Sequence, residues 1–315
     1  MFVKRNKNRI KDTAGDKALH IFSTVVLILV IIVVGYPILY VLSSSVSDSA
    51  ALSSGRVTVF PMVFDAESAT YSLGLDFSGY KFVFSYDAVI KGFLNSLLYT
   101  VLGTSISITM IILMAYPLSK MDFQGRKPIS KMLVFAMLIN PGMVPIYLLK
   151  TSLGLNGTIW AVVLSGALNI THVFIMRTSF KNSIPGELFD AAKLDGANDF
   201  QCLVRIAVPL AKATVSVLML YAAVHYWNNY FNAMLYLADR QDLWPLPLVL
   251  RNFLISSKEI SSGGMSAAQQ EAFAKSGIYQ IQFCLIVVAT VPVLALYSFV
   301  QRFFEKGVMI GSVKG

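Results

Sequence analysis

Six stretches of this chain run for nearly the length of a bilayer with almost no charge, and no feature constrains its fold more. They cover about residues 19–42, 93–115, 132–149, 158–176, 206–230 and 278–299. A helix rises 1.5 Å per residue, so roughly 20 apolar residues span the hydrocarbon core. Gly35, Pro37, Pro141, Pro145, Pro209 and Pro292 fall inside these runs. Membrane helices tolerate such residues because neighbouring helices satisfy the freed backbone groups. Only 14% of the 315 residues are charged, against about a quarter in a soluble chain. The pattern predicts an all-α membrane protein with six transmembrane helices. Within the third run, Asn140-Pro-Gly-Met-Val-Pro145 reads as the break of a broken helix. The first run follows basic residues, but no small-residue cleavage site closes it, so it reads as a retained span and not a signal peptide.

The net charge of +9 is explained by where the cations lie. Lys and Arg number six in 1–17, four in 120–131, five in 177–212 and three after Gln301, or 18 of 26 on one side of the membrane. By the positive-inside rule that side is cytoplasmic and holds both termini. The charge therefore sets topology, and nucleic acid drops out as a partner. The expected organisation is a cytoplasmic tail over 1–18, a permease domain over 19–302 and a cytoplasmic tail over 303–315. Outer loops fall at about 43–90 and 231–277, with a cytoplasmic loop at about 177–209. Aromatics around Tyr80–Tyr86 mark a short ordered element in the first outer loop, and the Ser/Gly/Gln-rich stretch 256–270 reads as mobile. Cys202 and Cys284 imply no disulfide framework.

The inner loop has helical character. Ser183-Ile-Pro-Gly-Glu-Leu resembles a helix start, with a capping hydroxyl, an early proline and the acidic Glu187. Phe189, Ala192 and Leu194 supply an apolar set at roughly helical spacing, Gly196 permits a bend, and periodicity resumes from Phe200 to Val208. Two short helices about a glycine are expected. Ala191, Ala192 and Ala197 would allow close backbone approach, and Asp190 and Asp195 could meet donors in a partner's groove. The plainer reading is an amphipathic surface helix.

Pro185-Gly-Glu-Leu-Phe-Asp-Ala-Ala-Lys-Leu-Asp-Gly-Ala197 followed by Ile206-Ala-Val-Pro209 resembles the EAA loop of binding-protein-dependent ABC importer permeases. Asp190 stands where that family has Glu, and Val208 where it has Leu. Tyr36-Pro37, Trp227-Asn228 and the ending from Gln301 to Gly315 are similar to the carbohydrate-uptake, maltose-type branch, nearest its complex-polysaccharide subgroup. The resemblance implies a type I ABC importer permease fold in a bacterial inner membrane. It also implies a homologous second permease subunit, two ATPase subunits that bind ATP and magnesium, and an extracytoplasmic solute-binding protein. Glu187, Asp190, Ala191, Ala192, Asp195, Gly196, Ala197, Ile206 and Pro209 would then form the coupling loop that sits in an ATPase groove.

No phosphate-binding loop occurs, since Gly125-Arg-Lys-Pro128 lacks its spacing, so any ATP is hydrolysed by another chain. The apolar runs hold no Asp, Glu, Lys or Arg beyond Lys212 near a cytoplasmic end. Secondary carriers generally need such groups, which favours an ATP-driven importer of a neutral, hydroxyl-rich solute over a secondary carrier. The three histidines stand apart in sequence, and neither a catalytic nor a metal cluster is expected. Tyr221, His225, Trp227 and Asn228 could line a sugar pathway by stacking and amide hydrogen bonds. An interfacial aromatic belt accounts for them equally simply.

Overall fold

The computed structural model describes residues 13–65, 68–139, 141–262 and 277–311. Two units emerge, one of Met1–Lys81 with Met265–Val287 and one of Phe82–Gly264 with Val288–Gly315.

The first unit begins with α1, Ala14–Ser45. Thr13 and Asp16 close a capping box at its start: Asp16 N donates to Thr13 Oγ1 at 3.3 Å, and Thr13 N donates to the Asp16 carboxylate at 2.9 Å. The helix is apolar all round, and its most apolar stretch is uncovered. Lipid or another apolar chain must therefore cover it. After α2, Ser49–Ser53, strands β1, Met62–Asp65, and β2, Thr70–Leu73, pair antiparallel from Met62 opposite Leu73 to Asp65 opposite Thr70. This hairpin is a small addition to the expected helices. Its strands are too short for alternation to register. The ordered element around Tyr80 is α3, Ser78–Ser85. Buried Gln280 accepts from Gly79 N at 2.9 Å and donates Nε2 to Asp76 O at 2.6 Å.

The second unit is built on α4, Asp87–Ser119. Its buried residues include Val89, Gly92, Ser96, Tyr99, Gly103, Ser107, Ile111, Ala115 and Leu118, spaced three and four apart as one helical face requires. Gly103 lets α4 approach its neighbour, because a Cβ there would lie 2.5 Å from the Tyr226 ring. Tyr226 in turn donates its hydroxyl to Val163 O at 2.9 Å. The third apolar run is α5, Arg126–Leu138, and α6, Met143–Ser152, which meet at 117°. It is bent as read from the sequence, and Asn140 itself lies outside the described residues.

The fourth run departs from expectation. It divides into α7, Trp160–Val163, and α8, Ile170–Ser183, at a turn through Gly166. The connection expected at about 177–209 therefore begins while the chain is still helical, in α8. It holds α9, Gly186–Leu194, α10, Asp199–Cys202, a π-helical turn over Leu203–Ala207 and α11, Val208–Leu210. The fifth run continues as α12, Lys212–Trp227, and α13, Tyr230–Tyr236. A 3₁₀ turn at Gln241–Leu243 leads to α14, Leu246–Ser262, and the chain closes with α15, Ile278–Gly311. Residues 256–262, read as mobile, are the end of α14, while 263–270 lie outside the described residues. So do 1–12 and 312–315 of the two tails.

Among the described residues, three helices are long and apolar enough to cross a membrane: Gly15–Ser45, Asp87–Ser119 and Ile278–Ser298. The count rises to five if each bent pair is one span.

Candidate functional site

The connection from Gly186 to Leu210 is a compact knob. Ser183 does not cap α9, as its hydroxyl led the sequence reading to expect. It ends α8, and Pro185 stands at the cap position with no side-chain bond. Glu187 in the first turn instead meets the positive end of the helix dipole. The far end is sharply defined. Ala197 N donates to Ala192 O at 2.9 Å and Gly196 N to Lys193 O at 3.0 Å, the paired bonds of a Schellman stop. Gly196 takes φ +81°, and a Cβ there would meet nothing within 4 Å. The glycine is thus required by backbone conformation and not by space. Asn198 and Gln201 cap α10 reciprocally, at 2.8 and 2.9 Å.

From there the chain loosens toward Pro209. Val208 N reaches back five residues to Leu203 O in the π turn, which accommodates a proline that has no N–H of its own. Residues Asp199–Leu210 then meet Lys212–Trp227 at 84°.

The faces of α9 differ. Phe189 and Ala192, with Ala197 and Ile206, pack on a core of Ile111, Ala115, Met176, Phe180 and Leu203. Glu187, Leu188, Asp190, Ala191 and Asp195 are exposed, and Leu194 is 89% exposed. Leu194, grouped with Phe189 and Ala192 by sequence spacing, therefore does not share their buried side. Leu188 and Leu194 thus lie on the exposed side of α9 with Glu187, Asp190 and Asp195. Lys120, just past α4, places its ammonium 2.9 Å from the Phe189 ring centroid. Burial, and next the Lys193 ammonium, hold its pKa below the usual lysine range. Asp122 lies 3.9 Å from Lys193.

A second feature is a cavity of 410 Å³ lined by Ser107, Asn169, His172, Tyr221 and His225. His172 stacks on Tyr221 with centroids 5.9 Å apart. Asn169 caps α8, its Oδ1 accepting from His172 N at 3.2 Å. Of the four residues assigned from the sequence, Tyr221 and His225 reach this cavity. Trp227 does not. It is buried, donates Nε1 to Ala289 O at 2.9 Å and meets Phe93 edge-on. Asn228 caps the end of α12 and is exposed. His172 and Asn169 were missed because 53 positions separate His172 from His225, and no local spacing joins them. Asn95 acts as structural glue, donating Nδ2 to Asp242 O and Trp244 O.

Known proteins resemble this chain in sequence and in fold. Residues 77–310 match the model of a family described as binding-protein-dependent transport system inner membrane component. The chain is 36% identical over 281 residues to a polygalacturonan/rhamnogalacturonan transport system permease protein of Bacillus subtilis (strain 168), covering 89% of this chain and 92% of that one. It is 30% identical over 227 residues to an inner membrane ABC transporter permease protein of Escherichia coli (strain K12), covering 71% and 74%. A crystal structure of a bacterial ABC transporter involved in the import of the acidic polysaccharide alginate contains a chain that superposes with a TM-score of 0.80. That chain is 30% identical, with 94% of this chain and 100% of that one covered.

Proposed function

The chain belongs to the binding-protein-dependent transport system inner membrane components, and from that we propose that it is the permease subunit of an ABC importer for a carbohydrate, of oligo- or polysaccharide size. The observation that carries this is the knob over Gly186–Leu210. It has a hard glycine stop, an inward face seated on the helix core and an outward face of Leu194 among carboxylates. Glu187, Asp190, Ala191, Asp195 and Leu194 present to an ATPase groove, while Ala192, Gly196, Ala197, Ile206 and Pro209 hold the shape. This subunit is not the enzyme of the system: partner ATPases bind ATP and magnesium. A second permease completes the pathway, and a solute-binding protein delivers the sugar from outside. The layout is that of a multi-pass protein of the bacterial cytoplasmic membrane with six spans and both termini inside. Residues 19–302 form the permease domain, with tails at 1–18 and 303–315.

Tyr221, His225 and His172 form the wall of the sugar pathway, where a flat ring and imidazoles meet hydroxyls and oxygens of the solute. The neutrality expected from the uncharged spans is not retained for that solute. The polysaccharide named for one of the related proteins, alginate, is acidic.

Gly196→Val tests the knob. The variant should insert and assemble normally, yet lose uptake and the ATPase stimulation caused by the binding protein, because Val disfavours φ +81°. Normal uptake by this variant would refute the coupling role.

A further inference from the structure

We propose that Lys120 is a positioning residue for energy coupling: it locks the α9 knob to the end of α4, so that displacement of the knob moves the helix behind the cavity wall. The inference rests on the coupling role of the knob and names a residue outside it.

The geometry at this junction is specific. Lys120 Nζ lies 2.9 Å from the centroid of Phe189 on α9 and 5.0 Å from that of Tyr116 on α4. The Tyr116 ring meets Phe189 and Phe180 edge-on, with centroids 6.1 and 6.0 Å apart. The ammonium therefore sits on two π faces, one on each element, where ring quadrupoles attract a cation. Lys193, Asp199 and Asp122 are the charged groups around it, with the thiol of Cys202. Asp122 is engaged by Lys193, one turn beyond Phe189 on the same face of α9. Two contacts, Lys120 to Phe189 and Asp122 to Lys193, thus fix the rotation of α9 about its own axis. That rotation keeps Glu187, Asp190, Ala191 and Leu194 outward.

The far side of the link reaches the pathway. The same helix, α4, places Ser107 in the cavity beside His172, Tyr221 and His225. A rigid helix end tied to the knob transmits its motion, whereas a merely apolar contact would let α9 roll. Met at 120 keeps the packed stem but removes the charge. Arg keeps the charge and its affinity for ring faces.

The test needs no transported solute. A cysteine replaces Tyr221 in the full importer complex, and its alkylation rate is compared between nucleotide-free and ATP–vanadate-trapped states. The two native cysteines are buried and give little background. With Lys120 in place the two rates should differ by about tenfold. Lys120→Met should bring the ratio close to one while the ATPase chains still copurify, and Lys120→Arg should restore it. Phe189→Leu should reproduce the loss, with no further effect of Lys120→Met in that background. A full ratio in Lys120→Met would overturn the proposal, as would loss of assembly in Lys120→Met and Phe189→Leu alike, which would make the contact purely structural. Gly196→Val separates the two readings. If it keeps the ratio, the coupling role of the knob fails. If it loses the ratio while Lys120→Met keeps it, only the role of Lys120 fails.

Discussion

Gly103 and Tyr226 meet so closely that a single methyl group has no room between them. Gly103→Ala should therefore destabilise the fold by about 1–3 kcal/mol through overpacking, read as a lower Tm in detergent. Stability equal to the parent would show that α4 and α12 can separate freely. The aromatic cluster at the end of α12 divides by the same reasoning. Trp227→Phe removes the bond to Ala289 O and should cost about 1 kcal/mol of stability while leaving solute affinity unchanged. Tyr221→Ala should do the reverse, lowering uptake with little change in Tm, since Tyr221 is 57% exposed on the cavity wall. Uptake lost in Trp227→Phe at unchanged Tm would return the tryptophan to the pathway. Sequence placed Tyr221 and Trp227 together because both are aromatic at the end of an apolar run. Only packing tells them apart.

At the scale of elements, the knob owes its shape to two local devices of different legibility. The glycine bend could be read from the chain, because Gly196 lies between two short stretches of helical apolar periodicity. The direction of its faces could not. Leu194 and Phe189 are both apolar on one short helix, and only the core beneath α9 decides that Phe189 turns in and Leu194 out. The break of the fourth run was hidden for a related reason: Ser165-Gly166 sits among apolar residues, so composition continues where the helix stops. The hairpin of four-residue strands was likewise too short to carry a periodic signal. Long, uninterrupted helices such as Ala14–Ser45 and Asp87–Ser119 were the most legible, with ends a few residues beyond the apolar runs. Gly196→Ala, which adds only a methyl group in open space, should weaken ATPase stimulation less than Gly196→Val does. It keeps the backbone strain of φ +81° but adds no β-branching. Equal loss in both variants would place the whole effect in the backbone conformation.

As a whole, the molecule should present its two ordered connections on opposite sides of the membrane. Treated with a membrane-impermeant thiol reagent, a cysteine at Ser54 should be labelled in intact cells. One at Asp190 should react only after permeabilisation, and the reverse pattern would invert the topology. The central claim, that the outward face of α9 docks on an ATPase, is met most directly by photocrosslinking in native membranes. A benzophenone amino acid at Leu194 should yield an adduct with the ATPase chain, and the same group at Leu138, on the exposed end of α5, should not. No ATPase adduct from position 194 in an assembled, transporting complex would show that this face of α9 does not dock on the ATPase.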